Sequence, residues 1–387
     1  MDELANPYRP GAGTTPPALL GRDELIERFT MTARRARSGR PGKSVMAVGL
    51  RGVGKTVLLN RFSEIAEREG FEVAYIEATD SGDLATVLAV RLRKILLDLD
   101  RGSVSRAVAK ALRVLKSFTL QLPDGSTIQL DPEPLLGEAD SGRLSDDLTD
   151  VLVATGEAAR DRDRGLLVAV DEVQYLSEEE LGAVIVAVHR STQLNLPVVV
   201  VGAGLPQLPG LAGEARSYSE RLFEFPEIGS LVDAHARGAI EIPANAAGVE
   251  FDSEAVDRIV EASHGYPYFL QEWGYHVWNH ALASPIPVTD VDAVRPLVLG
   301  ALDRDFFRVR LDRLTPKERE YLRAMADLGP GPHRSGDIAT ELGVRVESVG
   351  PRRGGLIRKG MIYSPAHGDT AFTVPLFDEF LKRVMPR

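Results

Sequence analysis

Residues 44–56 read SVMAVGLRGVGKT, a five-residue apolar run followed by GLRGVGKT at 49–56. The second part matches G-x-x-x-x-G-K-[ST], and the first has the length and apolarity of a buried strand. A helical pattern then runs from Lys55 to about Glu69. A glycine-rich turn between a strand and a helix lets consecutive backbone N–H groups face one phosphate, with the positive helix end behind them. The cradle is then Gly49, Gly52, Val53, Gly54, Lys55, Thr56 and Val57. Lys55 is expected to bridge the β- and γ-phosphate oxygens, and the Thr56 hydroxyl to ligate magnesium. The stretch predicts binding of Mg-ATP.

A second string, LLVAVDEVQYL at 166–176, supplies what the first lacks. Its apolar strand ends in Asp171, expected to hold the magnesium shell at the carboxyl edge of a sheet, where open α/β folds bind ligands. Glu172 follows directly and is the candidate general base for the attacking water. Gln174 has two readings, a contact to the γ-phosphate or its water and an ordinary turn residue.

Further strand-like runs at 72–76 and 198–201 alternate with helical stretches, including one at 22–37. This alternation predicts an α/β fold, a parallel sheet covered by helices on both faces. Residues 1–17 read as an extended leader rich in Pro and Gly, and 18–230 as the nucleotide-binding core. Within the core, 103–145 reads as an insertion. Residues 103–116 form a basic amphipathic helix with Arg106, Lys110 and Arg113 on one face, and 118–130 alternate around Pro123-Asp124-Gly125 as a hairpin. Residues 231–310 read as a helical domain and 311–387 as a smaller helix-rich one.

The bulk numbers narrow the classes. At roughly 150 residues per domain, 387 residues fit two or three domains. There is no cysteine, which excludes disulfides, thiolate catalysis and Cys-ligated zinc. No signal peptide or membrane-length apolar run is evident, so a cytoplasmic protein with no membrane partner is expected. The net charge of −10 argues against a surface built throughout for nucleic acid. The tail from 311 onward nevertheless carries a slight excess of Lys and Arg.

On these motifs the chain resembles the AAA+ and STAND superclass of P-loop ATPases, in particular the origin-recognition-like and archaeal-type ATP-binding proteins. The resemblance implies a P-loop NTPase core, a helical lid and a C-terminal winged helix. LLGRDEL at 19–25 is similar to the family's N-terminal segment, which implies that Gly21 and Arg22 hold the adenine. SYSERLFEF at 217–225 resembles the segment that presents an arginine finger to a neighbouring subunit; Arg221 is the matching residue and Arg216 the weaker one. SHGYPYFLQEWG at 263–274 resembles the lid, with Pro267 pressing on the base, but has no arginine where a sensor arginine is expected. Gly202-Ala203-Gly204 follows the strand where a polar sensor usually stands.

The resemblance implies ATP hydrolysis, with catalytic roles for Lys55, Glu172 and Arg221, and two classes of function. One is a nucleotide-gated switch read by a protein partner. The other is an initiator-like or transposition-helper-like ATPase assembling as a homo-oligomer on duplex DNA. Basic residues at 344–359 (Arg345, Arg352, Arg353, Arg358, Lys359) favour the second, although Gly350-Pro351 is expected to interrupt a recognition helix there.

Overall fold

The computed structural model describes residues 1–11, 13–40, 42–79, 82–101, 105–121, 133–366 and 368–386. It comprises two compact units, Asp23–Val48 with Leu58–Glu227, and Met1–Arg22 with Gly49–Val57 and Ile228–Arg387.

The first unit is the sheet. In chain order come α1 (Asp23–Arg37), β1 (Ser44–Val48), α2 (Lys55–Arg68), β2 (Phe71–Glu77), α3 (Leu84–Leu99), α4 (Arg106–Leu120) and α5 (Leu144–Asp161). There follow β3 (Gly165–Asp171), α6 (Glu178–Gln193), β4 (Val198–Gly204), α7 (Leu208–Ala215), α8 (Ser219–Leu222) and β5 (Phe223–Glu224). The strands pair in parallel in the order β2-β3-β4-β1-β5. Every residue of β1, β3 and β4 is buried, which is why these strands are continuous apolar runs rather than alternating ones. The register sets Val48 beside Gly204, Val170 beside Gly202, and Glu77 beside Asp171. The carboxyl ends of β1, β2, β3 and β4 therefore share one edge of the sheet.

The proposed hairpin is corrected in part. Phe118–Leu120 are the last turn of α4, because the helical stripe of buried Val108, Ala111, Leu112 and Leu115 continues through Phe118. The rest of that segment lies outside the described residues. The basic face of α4 is the solvated side of a core helix: Lys110 pairs with Glu138 at 3.2 Å, and Arg113 donates to the Glu133 carbonyl. The two-residue β5 had no counterpart among the expected strands.

The second unit opens with a segment that is not simply extended. Tyr8 is 2% exposed, and its hydroxyl donates to the Ile240 carbonyl at 2.6 Å. A Cβ on Gly274 would stand 2.5 Å from the Tyr8 ring, so glycine permits this approach. The helices are α9 (Asp233–Ala246), α10 (Ser253–Ser263), α11 (Pro267–His280) and α12 (Val288–Ala301), continued by a π-helix (Leu302–Arg308) and α13 (Val309–Leu311). Tyr266, Phe269, Trp273 and Trp278 are buried in this unit, as core residues.

Beyond Thr315 come α14 (Pro316–Leu328), β6 (His333–Arg334), α15 (Ser335–Glu341), α16 (Gly350–Arg358), β7 (Ile362–Tyr363), β8 (Asp369–Phe372) and α17 (Phe377–Val384). The strands form an antiparallel sheet, β6-β8-β7. Thr315 and Glu318 form a capping box at the start of α14. Ser335 is the first residue of α15, and its hydroxyl donates to the Gly368 carbonyl at 3.3 Å. Gly350-Pro351 does not break a helix; it begins α16, since a proline in the first turn forfeits no intrahelical bond.

Candidate functional site

The glycine-rich loop turns sharply after β1. Gly52 and Gly54 have φ of +83° and +91°, a conformation that side chains with a Cβ rarely adopt. A Cβ on Gly49 would stand 2.2 Å from the Ile228 carbonyl oxygen. Val53 and Val57 are buried and anchor the turn. Lys55 is buried too, and its ammonium donates to the carbonyls of Gly49 at 3.0 Å and Leu50 at 2.8 Å. Thr56 opens α2 beside it. Backbone donors at a helix start, a lysine held within the loop and an adjacent hydroxyl are the donor set a magnesium–triphosphate requires.

The outer bend of this loop is held from two sides. The Tyr266 hydroxyl donates to the Arg51 carbonyl, and the Tyr268 N–H to the Gly52 carbonyl at 3.3 Å. From the C-terminal region, the Thr373 carbonyl accepts the Arg51 N–H at 3.1 Å, and the Gly360 carbonyl accepts Arg51 Nε at 3.4 Å. Burial pushes the Tyr266 hydroxyl far above the ordinary phenol range, so it remains a donor.

Of the residues expected at the base, Gly21 has φ +68°, and a Cβ there would lie 2.7 Å from His235 Nδ1. Arg22 donates to the Gly229 carbonyl at 2.7 Å and to the Gly21 carbonyl at 3.1 Å. Desolvation holds its guanidinium below the usual range. Pro267 is the first residue of α11, and two residues before it the Gly265 carbonyl accepts the Leu231 N–H at 2.8 Å. Gly21–Arg22 and the turn before Pro267 thus both bond to the segment 229–231. His235 was missed by sequence reasoning, since its approach to Gly21 spans more than 200 residues and leaves no local pattern.

In the sheet unit, Asp171 is 5% exposed at the end of β3. Its carboxylate accepts the Tyr75 hydroxyl at 3.2 Å and the Glu172 N–H at 2.9 Å. Burial, then the Asp171 charge, pushes the Tyr75 phenol above its ordinary range. Glu172 has φ +53°, which for a residue with a Cβ is a strained, left-handed conformation. Gln174 resolves differently from either reading. Its amide N–H donates to the Glu172 carboxylate, and its carbonyl accepts the Leu205 N–H at 3.0 Å. It ties the acid to the end of β4.

The glycines of β4 have a packing reason. A Cβ on Gly202 would fall 2.3 Å from Met46 Sδ, and one on Gly204 would fall 3.0 Å from Gln174 Oε1. Arg221 is exposed on α8 and has no ion pair among the described residues. Arg216 donates to the Ala215 carbonyl at 2.7 Å.

A parallel sheet, a phosphate loop after β1 and an acidic end on β3 define a P-loop nucleotide-binding protein. Residues 18–201 match the model of the AAA ATPase domain, and residues 304–381 match a domain of unknown function, DUF8462. The P-loop core of this chain is an AAA+ ATPase domain. A Walker-type ATPase of Pyrococcus abyssi has the same fold: TM-score 0.53 at 16% identity, covering 94% of this chain and 96% of that one. Also similar, at TM-score 0.45 and 15% identity each, are the RuvB Holliday junction branch migration motor of Thermotoga maritima and the Orc1 protein of Aeropyrum pernix in complex with DNA. They cover 96% and 95% of this chain, and 99% and 94% of their own. No curated protein sequence matches the chain. No helix among the described residues is long and apolar enough to cross a membrane.

Proposed function

We propose that the protein is a nucleotide-gated ATPase switch whose C-terminal region reports what the phosphate loop holds. The observation that carries this reading is Arg51. Its carbonyl is bonded by the Tyr266 hydroxyl and its N–H by the Thr373 carbonyl, so the loop residue is shared by the helical lid and the segment just after β8. A change in the loop on nucleotide exchange has a direct route to both.

In this reading Lys55 binds the β- and γ-phosphates, Thr56 and Asp171 hold magnesium, and Glu172 orients and deprotonates water for in-line attack. Magnesium supplies neutralisation of the phosphate charge. Gly21, Arg22 and Pro267 bracket the adenine, and Arg221 is a finger offered to a second copy. The domains are the leader at 1–17, the core at 18–230, the lid at 231–310 and a winged helix at 311–387, the last supported by the order α14-β6-α15-α16-β7-β8. The test is hydrogen exchange with ATP, ADP or neither. Amides at 51–52, 360–361 and 373 should change protection with nucleotide. Identical exchange in all three states would remove the switch.

A second reading, DNA binding through the C-terminal region, rests on Arg345, Arg352 and Arg358. None of these has an ion pair among the described residues. The other two basic groups are engaged internally: Lys359 pairs with Glu318 at 2.7 Å, and Arg353 bonds Thr370 and Ser364. With three arginines at phosphates, the slope of log affinity against log salt should be about −3. No duplex binding at low salt would eliminate this reading.

A further inference from the structure

Tyr75 stands two residues before the end of β2, the edge strand beside β3. In their parallel register it lies opposite Ala169, and Glu77 lies opposite Asp171. Side chains alternate along a strand, so Tyr75, Ala169 and Asp171 share one face of the sheet. The small Ala169 side chain leaves the diagonal from Tyr75 to Asp171 open. The Tyr75 hydroxyl takes it, donating to Asp171 Oδ2 at 3.2 Å.

The other oxygen of the same carboxylate is engaged as well: Asp171 Oδ1 accepts the Glu172 N–H at 2.9 Å. A carboxyl group turns about a broad torsion without sharp staggered wells, so its plane is set by what bonds it. Each oxygen of Asp171 has a donor, one from the next residue of the chain and one from the neighbouring strand. A carboxylate offers about four lone-pair positions, so these bonds are compatible with a metal's water shell. The charged groups that act on Tyr75 are Asp171, Glu77 and Glu172, all carboxylates. A phenol is uncharged at neutral pH, so it orients Asp171 without cancelling the negative charge that a divalent cation requires. At 5% exposed, Asp171 has little water at hand to replace that donor.

We infer that Tyr75 is a positioning residue that makes the Asp171 end of β3 selective for magnesium over calcium. Magnesium demands near-ideal octahedral geometry and keeps several of its waters, so a carboxylate that serves it has to be held in one plane. Calcium takes about six to eight oxygens in flexible arrangements and tolerates a carboxylate that swings. A hydroxyl that fixes the plane therefore favours the smaller ion. Groups bonded to a metal's ligands in this way govern metal affinity by about 10- to 100-fold. This inference rests on reading Asp171 as the acid that holds magnesium.

The test is calorimetric titration of magnesium or calcium into the full chain holding a non-hydrolysable ATP analogue, as wild type and Tyr75→Phe. Phenylalanine keeps the ring and removes the donor. Magnesium affinity should fall by about 10- to 100-fold in Tyr75→Phe, with calcium affinity within about threefold of the wild type. Uptake of the analogue without either ion should be unchanged, because Tyr75 acts on the acid and not on the phosphates. Equal losses for both ions, no loss for either, or weakened uptake of the analogue without metal would make Tyr75 a packing residue and overturn the inference alone. Failure of the wild type to take up the analogue with magnesium present would overturn the triphosphate reading, and the inference with it.

Discussion

The glycine-rich loop and the end of β3 are built from opposite materials. The loop gathers donors and cations: backbone amides, Lys55 and Arg51, set among Tyr266 and Tyr268. The strand end gathers acceptors, Asp171 and Glu172, tied by Gln174 to Leu205 and by Tyr75 to β2. Glycines serve both, for different reasons. Gly52 and Gly54 supply positive φ for a turn, whereas Gly202 makes room for Met46 and Val173. The loop is thus specified by backbone conformation, and the strand end by side-chain bonds and packing. Damage should look different in the two places.

The largest effects should separate binding from turnover. Lys55→Ala should reduce ATP affinity at least ~100-fold, whereas Glu172→Gln should keep affinity and lower turnover by about 10²–10⁴, the range for a lost general base. Calorimetry and phosphate release measure the two. Turnover at the original rate in Glu172→Gln would remove the acid from its assigned role. Gln174→Leu should lower turnover by roughly tenfold, since an acid whose bonded partner is gone loses its orientation. ATP affinity should be unchanged, so a parallel loss of affinity would break the distinction between the halves.

Smaller effects fall on stability. Gly202→Ala should cost about 1–3 kcal/mol by overpacking against Met46, read as an earlier denaturant midpoint. Smallest is a pH effect at Glu272, whose carboxyl burial raises above the ordinary range. A raised carboxyl holds its proton more tightly in the folded state. Stability should therefore fall as pH climbs from the ordinary carboxylate value, 4.5, through the folded value, and be level above it. Glu272→Gln should flatten this fall and raise the melting temperature at neutral pH. A steeper fall in the variant would reverse the sign.

The contrast also explains what the sequence disclosed. GLRGVGKT and LLVAVDE are contiguous, and each demands one local geometry, so the loop, its flanking strand and helix, and Asp171 were legible. Strands β1, β3 and β4 were legible because full burial forces unbroken apolar runs. The missed features depend on distant partners. The bond that Gln174 accepts from Leu205 spans 31 residues, and His235 reaches Gly21 across more than 200. The two residues of β5 are too few to show a period. The alternation misled at 118–120, because Phe118 and Leu120 close a helix whose stripe started at Val108.

The strap formed by Tyr8 has a consequence for synthesis. Its acceptor, the Ile240 carbonyl, lies 232 residues further along the chain. At ribosomal speeds of about 5–20 residues per second, the N-terminal tyrosine waits on the order of ten seconds or more before its partner emerges. The strands of the parallel sheet have by then been made, so the helix that carries Ile240 closes on Tyr8 only after they have emerged. A nascent chain stalled before residue 240 would carry an ATPase sheet with its first aromatic anchor still in water.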